Sequence, residues 1–257
     1  MNKTTKVFSL AMALVAATCG AALATPSTQI WIPSTDVQAF GTVHLGIDNY
    51  LRVSKAPDGT PQPNVTDLGV TVGILPFEKL QLEVGVDYLV YGNGNASLNG
   101  SQLDSHPFYF NAKLGTPEGS LFGGSPAMAL GIYNVGTKED VTNQNISYLL
   151  LAKTLPVVGR LSAGYFVGNS AVLNDSDGDN ANHGVLLSWD RPLTEISDKL
   201  WAAVDYQGGN SGMGAVNFGI SWAFSKNVSL IVGYDIYNDS TTGGKNTITT
   251  QLDINIP

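Results

Sequence analysis

The chain has 257 residues, of which only 13% are charged, with 29 glycines and a formal charge of −8. A soluble domain usually carries nearly twice that charged fraction, and the acidic balance excludes a basic nucleic-acid footprint. Mean hydropathy near zero suits a protein with one apolar and one polar surface.

Residues 1–24 read as an export signal. Lys3 and Lys6 supply the positive start, Val7 to Ala17 the apolar core, and Ala22-Leu23-Ala24 the small-residue cleavage site. Cleavage there removes Cys19, the one cysteine, and with it any disulfide, thiolate nucleophile or cysteine metal site. No later segment is apolar for long enough to form a membrane helix, so a membrane crossing has to be made by strands. Residues 25–35 contain Ile30-Trp31-Ile32-Pro33. They hang in the periplasm, rest at the membrane interface through Trp31, or fold inward as a plug.

From Asp36 to Pro257 the chain alternates apolar and polar residues in blocks of about ten, the length of a tilted membrane strand. In the first block Val37, Ala39, Val43, Leu45 and Ile47 oppose Gln38, Thr42, His44 and Asp48. In the second, Leu68, Val70, Val72 and Ile74 oppose Asp67, Gly69, Thr71 and Gly73; in the third, Leu82, Val84, Val86 and Tyr88 oppose Gln81, Glu83, Gly85 and Asp87. Successive strand side chains point to opposite faces, so each block has one apolar and one polar side. Nine further strands are expected near 108–114, 127–135, 145–154, 160–167, 184–190, 199–207, 215–224, 228–237 and 246–256. Ala127–Val135 has the least regular alternation.

Turns such as Pro76-Phe77-Glu78-Lys79 and Ser225-Lys226-Asn227 are compact, whereas Gly92–His106 and Asn169–His183 are long and polar. Short periplasmic turns with longer external loops are a barrel pattern. Tyr88, Tyr133, Tyr206 and Tyr234 are assigned to the lipid-facing parity near outer strand ends, and Trp189, Trp222 and Phe224 near inner ends. Aromatic belts are expected at both membrane interfaces. A secreted β-sandwich also alternates, but it would leave that placement as coincidence.

The expected lumen is charged. Strands running outward share a slot occupied by Asp48, Asp87, Asp205 and Asp235, predicted to form an acidic arc over about half the inner wall near the outer mouth. Fixed carboxylates favour cations. Asp67, Glu83, Asp253, Lys113, Lys153 and Arg160 are also assigned inward, with the three cations towards the periplasmic end, and Glu83 and Lys113 on neighbouring strands can neutralise each other.

Little catalytic chemistry is visible. His44 lies on the lumen parity, while His106 and His183 flank loops, and the three share no metal-ligand spacing. No motif supplies a nucleophile, base and orienting carboxylate, so a barrel hydrolase is only a third reading. The loop Asn174-Asp175-Ser176-Asp177-Gly178-Asp179-Asn180 resembles the start of a calcium loop through Asp175, Asp177 and Asp179. It lacks the closing glutamate and the usual glycine position, so weak surface Ca²⁺ binding is weighed against a solvated acidic loop. No other cofactor is expected.

By its pattern the whole mature chain resembles bacterial outer-membrane barrels of the porin-like kind. That resemblance implies an all-β fold, a closed antiparallel up-and-down transmembrane β-barrel of about 12 strands in the bacterial cell outer membrane. It also implies outer-membrane lipid, lipopolysaccharide and the barrel-assembly machinery as partners. The last block departs from the usual aromatic ending, finishing Asp253-Ile254-Asn255-Ile256-Pro257. Two functions fit best: a channel for passive diffusion of small hydrophilic solutes or ions with a cation preference, or a structural or adhesive barrel with a side-chain-filled lumen.

Overall fold

The computed structural model describes residues 27–94 and 100–257; residues 1–24, expected to be an export signal, lie outside the described residues. Twelve strands follow in chain order: β1 (Val43–Arg52), β2 (Asn64–Gly73), β3 (Gln81–Asn93), β4 (Phe108–Thr116), β5 (Ala127–Gly136), β6 (Ile146–Leu155), β7 (Gly159–Val167), β8 (His183–Pro192), β9 (Leu200–Gln207), β10 (Ala215–Ser225), β11 (Val228–Tyr237) and β12 (Thr247–Ile256). A four-residue helix, α1 (Gln102–Ser105), lies in the loop before β4. Each strand pairs antiparallel with its neighbours in sequence, and β1 closes on β12 with Val43 opposite Ile256 and Arg52 opposite Thr247. Closure leaves no unpaired sheet edge, the condition a strand-built membrane span must meet.

The faces divide as the alternation requires. Ile47, Leu68, Val84, Leu149, Val204, Phe218, Ile220 and Val232 are exposed on the outer wall, where Tyr88 meets Phe108 and Phe218 meets Tyr234 edge to face or tilted. The inner wall is polar along β12, where Thr247, Thr249, Gln251 and Asp253 are all buried. An outside that water would not tolerate, around a polar inside, defines a porin-like transmembrane barrel.

Three expectations change. The first strand starts at Val43 rather than Asp36. The segment before it leaves the wall and passes inside, where Val37 Cγ2 lies 2.7 Å from the place a Cβ on Gly115 would occupy, and the carbonyl oxygen of Ala39 lies 2.1 Å from that place on Gly73. Only glycine permits that approach. Tyr133 turns inward: its hydroxyl lies 3.0 Å from Gln207 Oε1 and its ring packs on Tyr148. It continues the inward parity of buried Ala127 and Ala129, with Leu130 exposed on the other face, and only beyond it do the left-handed Asn134 (φ 52°) and a bulge opposite Phe110 to Ala112 break the alternation.

Lys153, assigned to the lumen, points outward. It stands opposite exposed Leu161 in the β6–β7 register and pairs with Glu118 at 2.8 Å in the β4–β5 turn. Alternation misleads at this strand because β6 is apolar on both faces, with Ile146, Tyr148 and Leu150 inside and Leu149 and Leu151 outside.

Candidate functional site

The inside of the barrel is built around residues 27–38, which make a tight hairpin in the lumen. Ser34 N–H donates to Ser27 O at 3.1 Å and Gln29 N–H to Ile32 O at 2.8 Å, closing the hairpin. At its tip the backbone N–H groups of Ile30, Trp31 and Ile32 converge on Asp205 Oδ2 at 2.8, 2.9 and 3.4 Å. Asn217 Nδ2 donates to the other carboxylate oxygen at 2.7 Å, and Gln251 Nε2 donates to Ile30 O at 2.7 Å. Inside a sealed wall the hairpin's backbone must find partners, and an inward carboxylate is a strong one.

Apolar contacts match this polar latch. Ile30 packs with Trp201, Ala203 and Ile231, and Ile32 joins Ile146, Leu150, Phe166, Leu173 and Leu186 in the main interior cluster. Ile30 also sits 3.3 Å from where a Cβ of Gly219 would stand. Trp31 reaches towards the loop end, donating through Nε1 to Met213 O at 3.0 Å and meeting Tyr50 and Tyr237 edge to face at 5.2 and 5.7 Å.

Two charged groups fix the base. Glu83 pairs with Lys113 at 3.0 Å while accepting from Ser27 Oγ and from Gln38 N–H at 2.7 Å. Arg160 bridges Asp36 at 2.6 Å and Asp190 at 2.9 Å, and Asp190 also accepts from Gln29 Nε2 and Trp201 Nε1. The neutralisation expected of Glu83 and Lys113 is thus geometric fact, and both residues also hold the hairpin.

The hairpin and the β6–β11 wall fill one side of the lumen. On the other side, between the hairpin and β1–β5, lies a cavity of about 340 Å³. It runs from His44, Glu83 and Lys113 near the chain-termini end to Arg52 and Thr242 near the loops. Asp48, Asp67, Asp87 and Asp253 line it. Asp48 and Asp67 are direct cross-strand partners, and Asp87 leans over Gly69, its Oδ1 3.0 Å from the place of a Cβ there. Asn111 donates to Asp87 Oδ2 at 2.7 Å. Tyr50, Tyr91 and Tyr109 complete the wall, the last two with hydroxyls 3.2 Å apart. Arg52 is drawn away towards the loops, with its guanidinium 4.9 Å from the ring centroid of Tyr237 and bonded to the carbonyls of Pro63 and Lys245.

The four-aspartate arc therefore divides. Asp48 and Asp87 face the cavity; Asp205 is sealed beneath the hairpin, and Asp235, also buried, accepts from Thr247 Oγ1 at 2.6 Å. The shared sequence slot carried no information on which of them would be covered. Asp36, Asp190 and the cavity tyrosines had no distinguishing signal; their roles arise from the inward hairpin and from bringing β1–β4 together.

His44 Nδ1 lies 3.1 Å from Asn255 Oδ1, His106 contacts Thr137 and His183 contacts Asn182. Asp175 spends its carboxylate on the backbone N–H groups of Asp177 and Asp179 at 3.0 and 2.9 Å. Among the described residues no three His, Cys, Asp or Glu side chains come together as metal ligands.

No protein-family model and no curated protein matches the chain. Solved barrels are similar to it: an outer-membrane channel from Pseudomonas putida F1 at 11% identity, covering 86% of this chain and 97% of that one, with a TM-score of 0.47. The NanC porin is 10% identical, covering 83% and 99%, with a TM-score of 0.44. OmpF of Salmonella typhi, in complex with daunomycin, is 9% identical, covering 84% and 96%, with a TM-score of 0.41. The assignment of the barrel itself rests on its closed strand order and the polarity of its two faces.

Proposed function

We propose that the chain is an outer-membrane channel for passive diffusion of small hydrophilic solutes, with a preference for cations. One observation carries this reading: a cavity lined by aspartates and tyrosines extends along most of the length of β1, from His44 to Arg52, instead of a lumen filled throughout. Its free carboxylates outnumber its cations, because Lys113 is committed to Glu83, so the field inside favours positive solutes. A barrel of about twelve strands lies between small filled barrels and wide porins, and here the hairpin takes up part of the difference.

Planar-bilayer recording of the purified mature protein tests this. Discrete steps are expected, with a reversal potential under a salt gradient shifted towards the cation value. Silence across repeated reconstitutions of correctly folded protein would sink the reading. The filled-barrel alternative draws its support from the two apolar clusters that close the β6–β11 side, and silence would favour it.

A further inference from the structure

We propose that the cavity is a binding site for small organic ammonium cations, held by Asp48, Asp67 and Asp253 against the rings of Tyr50, Tyr91 and Tyr109. The inference rests on the channel reading only in that solute enters the same cavity.

The first argument is charge. Among the described residues no ion pair engages Asp48, Asp67 or Asp87. Asp67 Oδ1 is buried and has no hydrogen-bond partner. Asp253 is an independent observation on another strand. It is 1% exposed and lines the cavity; Ser229 Oγ donates to its Oδ2 at 3.3 Å, while its Oδ1 accepts no hydrogen bond and faces His44 Nε2 at 3.7 Å, an ion-pair contact only when that ring is protonated. Buried acceptors are normally satisfied, and an orphan aimed into a cavity marks a place where a donor is expected. An ionised carboxylate offers acceptors and no donor, so the complementary ligand is a donor, and a positively charged one is the strongest partner.

The second argument separates an organic cation from a metal ion. Asp48 and Asp67 are cross-strand neighbours, yet among the described residues no three carboxylates gather as metal ligands. Tyr50, Tyr91, Tyr109 and the edge-packed Trp31 line the same cavity, and aromatic faces attract diffuse alkylammonium charge. The volume, about 340 Å³, is at the lower end of the range of small-molecule pockets, roughly 300–1,000 Å³, and far exceeds the needs of a dehydrated ion. Several carboxylates beside aromatic rings suit an alkylammonium, and a short diamine brings two ammonium groups to them.

Calorimetric titration of the folded mature barrel in detergent with putrescine, at low ionic strength, tests the proposal. Saturable binding near one per barrel is expected, weakened at least tenfold by Asp48→Asn combined with Asp67→Asn, with no response to succinate. Absence of saturable binding, or equal affinity of the double variant, would overturn it. If the double variant does not fold, as judged by heat-modifiable gel mobility, competition on the wild-type protein decides the matter. Tetramethylammonium is expected to displace putrescine at a concentration at least tenfold below that of sodium; equal displacement refutes an organic-cation site. Conductance in potassium chloride separates the two readings: conduction without putrescine binding sinks this inference alone, and binding without conduction sinks the channel alone.

Discussion

Removing the carboxylate of Asp205 should release the tip of the lumen hairpin while the barrel stays closed. Two of its backbone bonds, from Ile30 and Trp31 at 2.8 and 2.9 Å, are short; the third, from Ile32 at 3.4 Å, is long. Hydrogen bonds to a charged acceptor contribute about 1.5–3 kcal/mol each, so Asp205→Ala weakens docking of the tip by about 3 kcal/mol at the low end. That corresponds to roughly a hundredfold shift in the docking equilibrium. Burial of Ile30 and Ile32, each contributing about 1.5–3 kcal/mol, opposes full release, so the hairpin should open locally rather than leave. Hydrogen exchange read by mass spectrometry on the peptide spanning residues 27–36 should show the amides of residues 30–32 exchanging about a hundredfold faster, with heat-modifiable mobility unchanged. The same variant should raise the mean single-channel conductance. Unaltered exchange at those amides would refute the latch, whatever the conductance.

Lys113→Met leaves Glu83 buried without its ion-pair partner, and should destabilise the barrel by about 3–5 kcal/mol, read as a lower denaturant midpoint for loss of heat-modifiable mobility. Adding Glu83→Gln to it should recover most of that loss, and failure to recover would show that Lys113 acts through its other bond, from Nζ to Ser27 O at 3.0 Å, rather than through Glu83. Asp48→Asn with Asp87→Asn should reduce cation selectivity in reversal-potential measurements, while Asp235→Asn, buried against Thr247, should leave it unchanged; an equal effect of both would contradict the divided arc. In the loop after β11, the Thr241 backbone N–H donates to Asp239 Oδ1 at 2.7 Å and holds that carboxyl below its ordinary value of 3.8. A depressed folded value means the cap is fully present above the ordinary value and is lost as pH falls through the depressed one. Thr241 amide protection, corrected for intrinsic rate, should therefore be retained at pH 6 and decline below about pH 3.8; pH-independent protection would count against the cap.

Much of the barrel was legible because a strand between lipid and a polar lumen must alternate, and the alternation is local. The run Leu82-Glu83-Val84-Gly85-Val86-Asp87-Tyr88 states which residues face in without reference to any other strand. The errors fall where that contrast fails. Lys153 lies on a strand apolar on both faces, and Tyr133 closes a run whose inward positions, Ala127 and Ala129, are as apolar as its outward Leu130. For residues 27–38 the sequence offered an apolar Ile30-Trp31-Ile32 and three destinations. Glycines at 73, 115 and 219 make room for an inward path, but nothing local says that Gly73 meets Ala39, Gly115 meets Val37 and Gly219 meets Ile30.

The sequence by itself thus determined a closed antiparallel barrel, its strand faces, and an inside rich in aspartate, because each follows from period-two patterning within a strand. Only the tertiary structure decided how that inside is shared. Asp205 is buried by three backbone donors of a hairpin more than 170 positions earlier, while Asp48 and Asp67 meet across β1 and β2 in a cavity, with no ion pair to either among the described residues. The physical reason is that pairing of buried charges and donors depends on which groups meet across the lumen, and those meetings join residues far apart in the chain.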